Sequence, residues 1–151
     1  MKYTLIFLIS FLLSLLVINS CEHQSATVNF IKSHEPKRQD TPFSDVVIVD
    51  NLLFLSGQIG RDHSKGALVE GGIKAQTRQT IENIKAVLAH NQSDLSHVVK
   101  CTVILSDIQD FDAFNEIYKQ YFPNKPARTT FAASGLAAGA LIEIEVVAVK
   151  P

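Results

Sequence analysis

The sequence has no excess of charge of either sign: 14 Lys and Arg stand against 15 Asp and Glu, for a formal net charge of -1. Outside the pair Lys37-Arg38 no run of basic residues occurs. The electrostatic footprint of a nucleic-acid binder is therefore missing, and a polyanionic partner is discounted. Histidines are few and badly spaced for metal. His23, His34, His63, His90 and His97 never fall three or four residues apart, so no two share a helix face as ligands and no metal is expected. An internal repeat, a glycine-rich phosphate loop and a Gly-x-Ser-x-Gly elbow are also lacking, which removes the readings those features would carry.

What is present suffices for one domain. With 46% apolar and 19% charged residues, the chain can bury a real core and is not generally disordered. Residues 1–20 read as a targeting leader. Lys2 gives a minimal positive start, and Tyr3 to Ile18 is apolar apart from Thr4, Ser10 and Ser14. The leader ends in Ile18-Asn19-Ser20-Cys21, which resembles the lipobox of bacterial lipoproteins: an aliphatic residue three before the cysteine and a small residue just before it. The resemblance implies cleavage before Cys21, lipidation of that residue and a membrane anchor. Glu22 after the cysteine implies the periplasmic side of the outer membrane rather than the inner. An uncleaved membrane helix, for which the apolar run is short, and an ordinary secretory leader that leaves Cys21 a free thiol are the alternatives. With Cys21 assigned to lipid only Cys101 remains, and no internal disulfide can form. Cys101 lies in the apolar run Val98 to Leu105 and reads as a small buried hydrophobe rather than a nucleophile.

Residues 21–27 are a short polar tether, and residues 28–150 form the domain. Val28 to Ile31 reads as a first strand, Lys32 to Thr41 as a charged loop. Val46 to Asp50 and Leu52 to Gln58 read as a β-hairpin turning at Asp50-Asn51. Gly57, in Ser56-Gly57-Gln58, permits a close backbone approach or marks a simple bulge. Gly60 to Gly72 reads as a long loop. From Ile73 the period changes: Thr77, Ile81, Ile84 and Leu88 make one face of a helix that runs to His90 or Asn91. Val98 to Leu105 returns to strand. Phe111, Phe114, Tyr118, Tyr121 and Phe122 form an aromatic stripe on a second helix stopped by Pro123, and the stripe reads as core packing. The order predicts an α+β fold, a sheet of mixed direction with both helices on one face. The other face has to meet water, a ligand or another subunit.

The last third of the chain carries the candidate chemistry. Arg128-Thr129-Thr130-Phe131 and Leu141 to Val149 read as two strands joined by a Gly-punctuated loop. One carries Arg128, the other Glu143. A guanidinium grips a carboxylate through two parallel hydrogen bonds, and a Glu accepts or returns a proton, so the pair suits a small anionic substrate. A cross-strand salt bridge, or a polar face turned to water, is the other reading of the same spacing.

Leu55-Ser56-Gly57-Gln58-Ile59, Ala75-Gln76-Thr77-Arg78-Gln79, Glu82-Asn83-Ile84-Lys85, Val99-Lys100-Cys101-Thr102-Val103, Phe114-Asn115, Pro126-Ala127-Arg128-Thr129-Thr130 and Ile142-Glu143-Ile144-Glu145 occur in order. Together they resemble the RidA (YjgF) family of reactive-intermediate deaminases over most of residues 28–150. The resemblance implies a chorismate-mutase-like subunit assembled as a homotrimer, with sites in clefts between subunits. It further implies cofactor-free hydrolysis of 2-imino acids, formed from enamines, to 2-keto acids and ammonia. By the same resemblance Arg128 binds the substrate carboxylate and Glu143 positions or activates water. Ser56 and Asn115 match polar positions at the site, and Thr130 matches one whose backbone contacts substrate. Thr41-Pro42-Phe43-Ser44-Asp45 departs from the family's Gly-Pro-Tyr-Ser-Gln, so Phe43 keeps an aromatic wall without the phenolic hydroxyl. The leader departs too. Both leave open an alternative, a non-catalytic small-carboxylate-binding or surface-displayed module of the same fold.

Overall fold

The computed structural model describes residues 25–151. The expected leader, Cys21 and most of the tether lie outside the described residues. Ten regular elements follow: β1 (Val28–Ile31), β2 (Val46–Val49), β3 (Leu52–Ile59), β4 (Arg61–Asp62), β5 (Ala67–Leu68), α1 (Gly72–His90), β6 (Val98–Leu105), α2 (Phe111–Tyr121), β7 (Ala127–Ala132) and β8 (Ile142–Val149). The main sheet has the order β1-β2-β3-β8-β6-β7, and β4 pairs only with β5. Every pair in the main sheet is antiparallel except β6 with β7. A parallel pair needs a crossover, which α2 supplies.

Alternation along the central strands decides which face the helices cover. Ile142, Ile144, Val146 and Ala148 of β8 are buried, as are Cys101, Val103 and Leu105 of β6 and Leu53 and Leu55 of β3. Against them pack Ile81, Ile84, Val87 and Leu88 from α1 and Phe114 and Tyr118 from α2. The stripe read from sequence on α1 is the buried one: Thr77, Ile81, Ile84 and Leu88 are all fully buried. Both helices lie on one face, as expected.

The opposite face is uncovered and partly apolar. Phe30 pairs with Val47, Val47 with Phe54, and Phe54 with Val147, which makes a row across four strands. Phe30 at 72% exposure and Phe54 at 42% are far above what an ordinary packed sheet leaves to water.

Two expectations need correction. Gly60 to Gly72 is not one loop, because β4 and β5 form a small hairpin whose turn is closed by Asp62, its carboxylate accepting from the Ser64 N–H at 3.0 Å. The two strands of the last third are not neighbours either. β6 lies between β7 and β8, so the cross-strand Arg128–Glu143 salt bridge cannot form. Strand order is a long-range property that local alternation does not carry.

Leu53 is completely buried at the centre of this packing. Leu53→Ala should cost about 2–5 kcal/mol of unfolding free energy, checked by denaturant titration.

Candidate functional site

Side chains of directly paired residues share a sheet face. Arg128 pairs with Cys101, which pairs with Val146, and both partners face the helices. Glu143 pairs with Ile104 on β6, and Ile104 with Phe131 on β7, so Glu143 sits on the uncovered face. A single chain thus holds the two candidate residues on opposite faces, in two different cavities.

The Glu143 cavity, about 450 Å³, is lined by Phe43, Gly57, Gln58, Ile59, Ala137, Arg38 and neighbouring residues. Its floor comes from an irregularity in β3. Leu55 pairs with Val146 but Gln58 with Ile144, so β3 spends one more residue than β8 over that interval, a β-bulge at Ser56-Gly57. The bulge brings the Gly57 backbone against the Glu143 side chain so closely that a Cβ at Gly57 would overlap the carboxylate. Both readings of Gly57 therefore hold, and they are one feature.

Buried polar groups on α1 fix the surroundings. The Gln76 carbonyl oxygen accepts from the Leu141 N–H at 2.9 Å, setting the entry of β8 two residues before Glu143. The Asn83 amide donates to the carbonyls of Ile59 at 3.0 Å and Arg61 at 2.9 Å, holding the end of β3 and the start of β4. These two residues sit on the buried side of the helix, among Ile73, Ile81, Ile84 and two buried threonines. That placement is the signal by which they could have been found, since a buried amide has to bond something.

Glu143 itself has no hydrogen-bond or ion-pair partner in the described part of the chain. Burial first, and then the like charge of Glu145, raise its carboxyl above the ordinary glutamate value. A desolvated carboxylate with a raised pKa and free lone pairs is suited to exchange protons.

Arg128 lines a second cavity of about 380 Å³ with Asn115, Tyr118, Lys119, Phe122, Lys125 and Pro126. Its guanidinium carbon lies 4.6 Å from the Tyr118 ring centre, 5.1 Å from Phe114 and 5.6 Å from Phe111. The aromatic stripe, expected to be core alone, is also the seat of this cation. The Tyr118 hydroxyl donates to the Cys101 sulfur at 3.2 Å. Burial raises both the Cys101 thiol and the Tyr118 hydroxyl, which keeps Cys101 protonated and unreactive, as its reading as a hydrophobe requires.

Of the remaining candidates, Phe43 and Asn115 line one cavity each, while Ser56 and Thr130 line neither. Phe43, about half exposed, is on the rim of the Glu143 cavity. The Ser56 hydroxyl donates to the Ser44 carbonyl at 2.7 Å and so ties the Phe43 turn to β3. Asn115 stands with Arg128. Thr130, two residues from Arg128 and on the same face, has a buried hydroxyl without a protein partner among the described residues. Sequence reasoning missed Arg38, His63 and Gln58. The Arg38 guanidinium donates to Gln58 at 3.1 Å and to the buried carboxylate of Asp45 at 2.9 Å. Among the described residues no group of three or more His, Cys, Asp and Glu converges to hold a metal ion.

The titration of Glu143 can be observed directly. Its folded pKa is raised, so the ionised form costs stability at neutral pH, and the cost is relieved as pH falls through that folded value. Glu143→Gln should therefore raise Tm at pH 7, with the gain vanishing in acid. Glu145→Gln should move the Glu143 titration to lower pH in a carbon-detected NMR experiment; an unmoved titration would leave burial as its only cause.

Comparison with known proteins places this arrangement. The family described as Endoribonuclease L-PSP matches residues 33–150. Human 2-iminobutanoate/2-iminopropanoate deaminase is 46% identical over 110 residues, covering 72% of this chain and 80% of its own; the rat protein of that name is 45% identical over 109 residues, with the same shares covered. Among solved structures, the Rid-family protein YyfA of Yersinia pestis, described as of unknown function, superimposes with a TM-score of 0.76 at 36% identity, over 82% of this chain and 99% of its own. E. coli TdcF with bound serine gives 0.74 at 28% identity, over 82% and 99%. A mixed sheet with two helices on one face and a match of this extent agree: the chain belongs to the endoribonuclease L-PSP family, the RidA (YjgF) family.

Proposed function

We propose that this protein hydrolyses 2-imino acids to 2-oxo acids and ammonia, at sites where Arg128 of one subunit meets Glu143 of the next in a homotrimer. The observation that carries the reading is the placement of a partly desolvated Glu143 carboxylate, without a partner among the described residues, against Gly57, on the uncovered sheet face and away from Arg128. Two residues on opposite faces of one sheet act together only if a second copy brings its own. The exposed apolar row on the Glu143 face gives that copy a surface to bury. The human and rat relatives named as imine deaminases support the same chemistry.

In the reaction, water adds across the C=N bond. Its oxygen bonds to carbon while Glu143 takes one water proton and passes it to nitrogen, giving a carbinolamine; Glu143 then takes the hydroxyl proton and passes it to the same nitrogen, so that the C–N bond breaks, the C=O bond forms and ammonia leaves. Arg128 holds the substrate carboxylate with its fork, which places the electrophilic carbon against the water. Phe43 forms an apolar wall without a hydroxyl to share. That gap is what favours the second reading, a carboxylate-binding module with no turnover.

An amino-acid oxidase that generates imine in the assay distinguishes the two. Imine decay should accelerate with this protein. Glu143→Gln should lower kcat by roughly 10² to 10⁴, and Arg128→Ala should raise KM and lower kcat, with Arg128→Lys restoring little because an ammonium lacks the planar fork. When Arg128→Ala and Glu143→Gln chains are co-expressed, random mixing in a trimer should rebuild about a quarter of the sites. A mixture as inactive as either parent would overturn the shared site; a wild type no faster than the uncatalysed decay would leave the binding module.

We also propose that the mature chain begins at a lipidated Cys21 and is membrane-anchored, from Ile18-Asn19-Ser20-Cys21 after an apolar run. Mass spectrometry should find the lipid on the N-terminal peptide and lose it in Cys21→Ala; an unmodified Cys21 in the mature protein would refute the anchor.

A further inference from the structure

The Glu143 cavity is asymmetric in charge. Three permanent cations line it, Lys37, Arg38 and Arg61, against one carboxylate, Glu143. All three come from the short turn Pro36–Arg38 and the start of the β4–β5 hairpin, segments for which the proposed hydrolysis has no use. The guanidinium groups are held in place by the protein without being used up. Arg38 spends one nitrogen on Asp45 and the other on Gln58, the latter also facing the His63 ring at 3.5 Å. Its Nε is left with no acceptor among the described residues. Arg61 is anchored through Nε and Nη2 to the Gly66 carbonyl, and its second terminal nitrogen is likewise without one.

Asp45, only 2% exposed, sits behind Arg38 and does not line the cavity. It fixes the orientation of the guanidinium and offsets part of its charge, and the three lining cations together still outweigh Asp45 and Glu143. Burial, and then the positive charge of Arg38, hold His63 below its ordinary value, so it faces the cavity as a neutral ring. The cavity that holds Glu143 is thus lined with donors and positive charge. An aliphatic substrate side chain would leave those donors without partners, and a carboxylate would satisfy them.

We propose that Lys37, Arg38 and Arg61 form a subsite for the side-chain carboxylate of the substrate, making acidic 2-imino acids, those with a second carboxylate, the preferred class. The inference rests on the hydrolysis proposed above. In that reaction the first carboxylate goes to Arg128 of the neighbouring subunit, the C=N carbon stands at Glu143, and the second carboxylate reaches the lining cations. The reaction that supplies such a substrate is an oxidation or an elimination acting on an acidic amino acid, and the product is a 2-oxo diacid.

The test compares 2-oxoglutarate with 2-oxobutanoate as ligands of the full chain by calorimetry, and imines generated by oxidases from glutamate and from 2-aminobutyrate as substrates. The diacid should bind at least about ten-fold more tightly and the acidic imine show a kcat/KM higher by a similar factor, one charge-assisted contact being enough for that ratio. The ratio should fall toward one in Arg38→Gln/Asp45→Asn, which removes both charges of the buried pair together, and drop part of the way in Lys37→Gln, whose exposed side chain puts folding at no risk. If 2-oxobutanoate binds or its imine is hydrolysed as well as the acidic counterpart, the subsite is wrong and the hydrolysis stands. Should the diacid be preferred in binding while neither imine is hydrolysed, the subsite stands and the hydrolysis fails. If neither ligand binds and neither imine decays faster than without the protein, both are overturned.

Discussion

A β-sheet has two faces, and successive residues of a strand must choose opposite ones. Most of this molecule's organisation follows from how that choice is made on β6, β7 and β8. Apolar residues at alternate positions of β6 and β8 commit one face to the helices. The same alternation then sends Glu143 and Glu145 outward with Ile104 and Thr102, while Arg128, in register with Cys101, turns inward toward α2. A shift of one residue in either pairing would exchange the faces and destroy the core. The separation of Arg128 from Glu143 is therefore not an accident of loop placement. It is as firmly specified as the core, and an arrangement that needs both residues at one site has to be built from two copies of the sheet.

The carboxylate is held where it is unfavourable. Glu143 has a glycine backbone on one side and a like-charged residue two positions along its strand, with no cation bonded to it within the described chain. Its cavity nevertheless contains Arg38, whose charge is directed to Asp45 rather than to Glu143. Had Arg38 paired with Glu143, the glutamate pKa would have been drawn down and its lone pairs occupied. The buried Asp45 diverts that cation. The cost of desolvating Asp45 and Arg38 is offset in part by their mutual hydrogen bond and by Gln58, the Asp45 Oδ2 having no partner among the described residues, and the carboxylate facing the cavity is left without a cation bonded to it in the described chain.

Much of this was legible in the sequence. Long periodic segments fixed themselves: α1 ends at His90 and starts within a residue of Ile73, β1 coincides with Val28 to Ile31, and the β2–β3 hairpin turns at Asp50, which adopts a positive φ of 53°. The β4–β5 hairpin escaped because strands of two residues are too short to show a period, and its turn rests on Asp62 side-chain bonds instead of a Gly-Asn signature. The neighbourhood of Arg128 and Glu143 escaped because β6, which divides their strands, is remote in sequence from both. Arg38 and His63 were hidden for a different reason. Each lies in a polar, non-periodic segment where a solvated charge is the common case, and only the folded chain shows that Asp45 and Gln58 stand behind them.

The aromatic stripe of α2 shows how a correct reading can be incomplete. Phe114, Tyr118 and Phe122 are buried and belong to the core. Phe111, Phe114 and Tyr118 also surround the Arg128 guanidinium on the outer side of that same helix face. A flat, weakly hydrated cation can lie against aromatic faces and still direct N–H groups outward, whereas an ammonium would lose its water without a comparable return. The helix that closes the core thus also seats the guanidinium. Tyr118 joins the two roles, its ring beneath Arg128 and its hydroxyl bonded to Cys101 on the strand beside β7. Core packing and the aim of the cation cannot be varied independently, because the same side chain is a term in both.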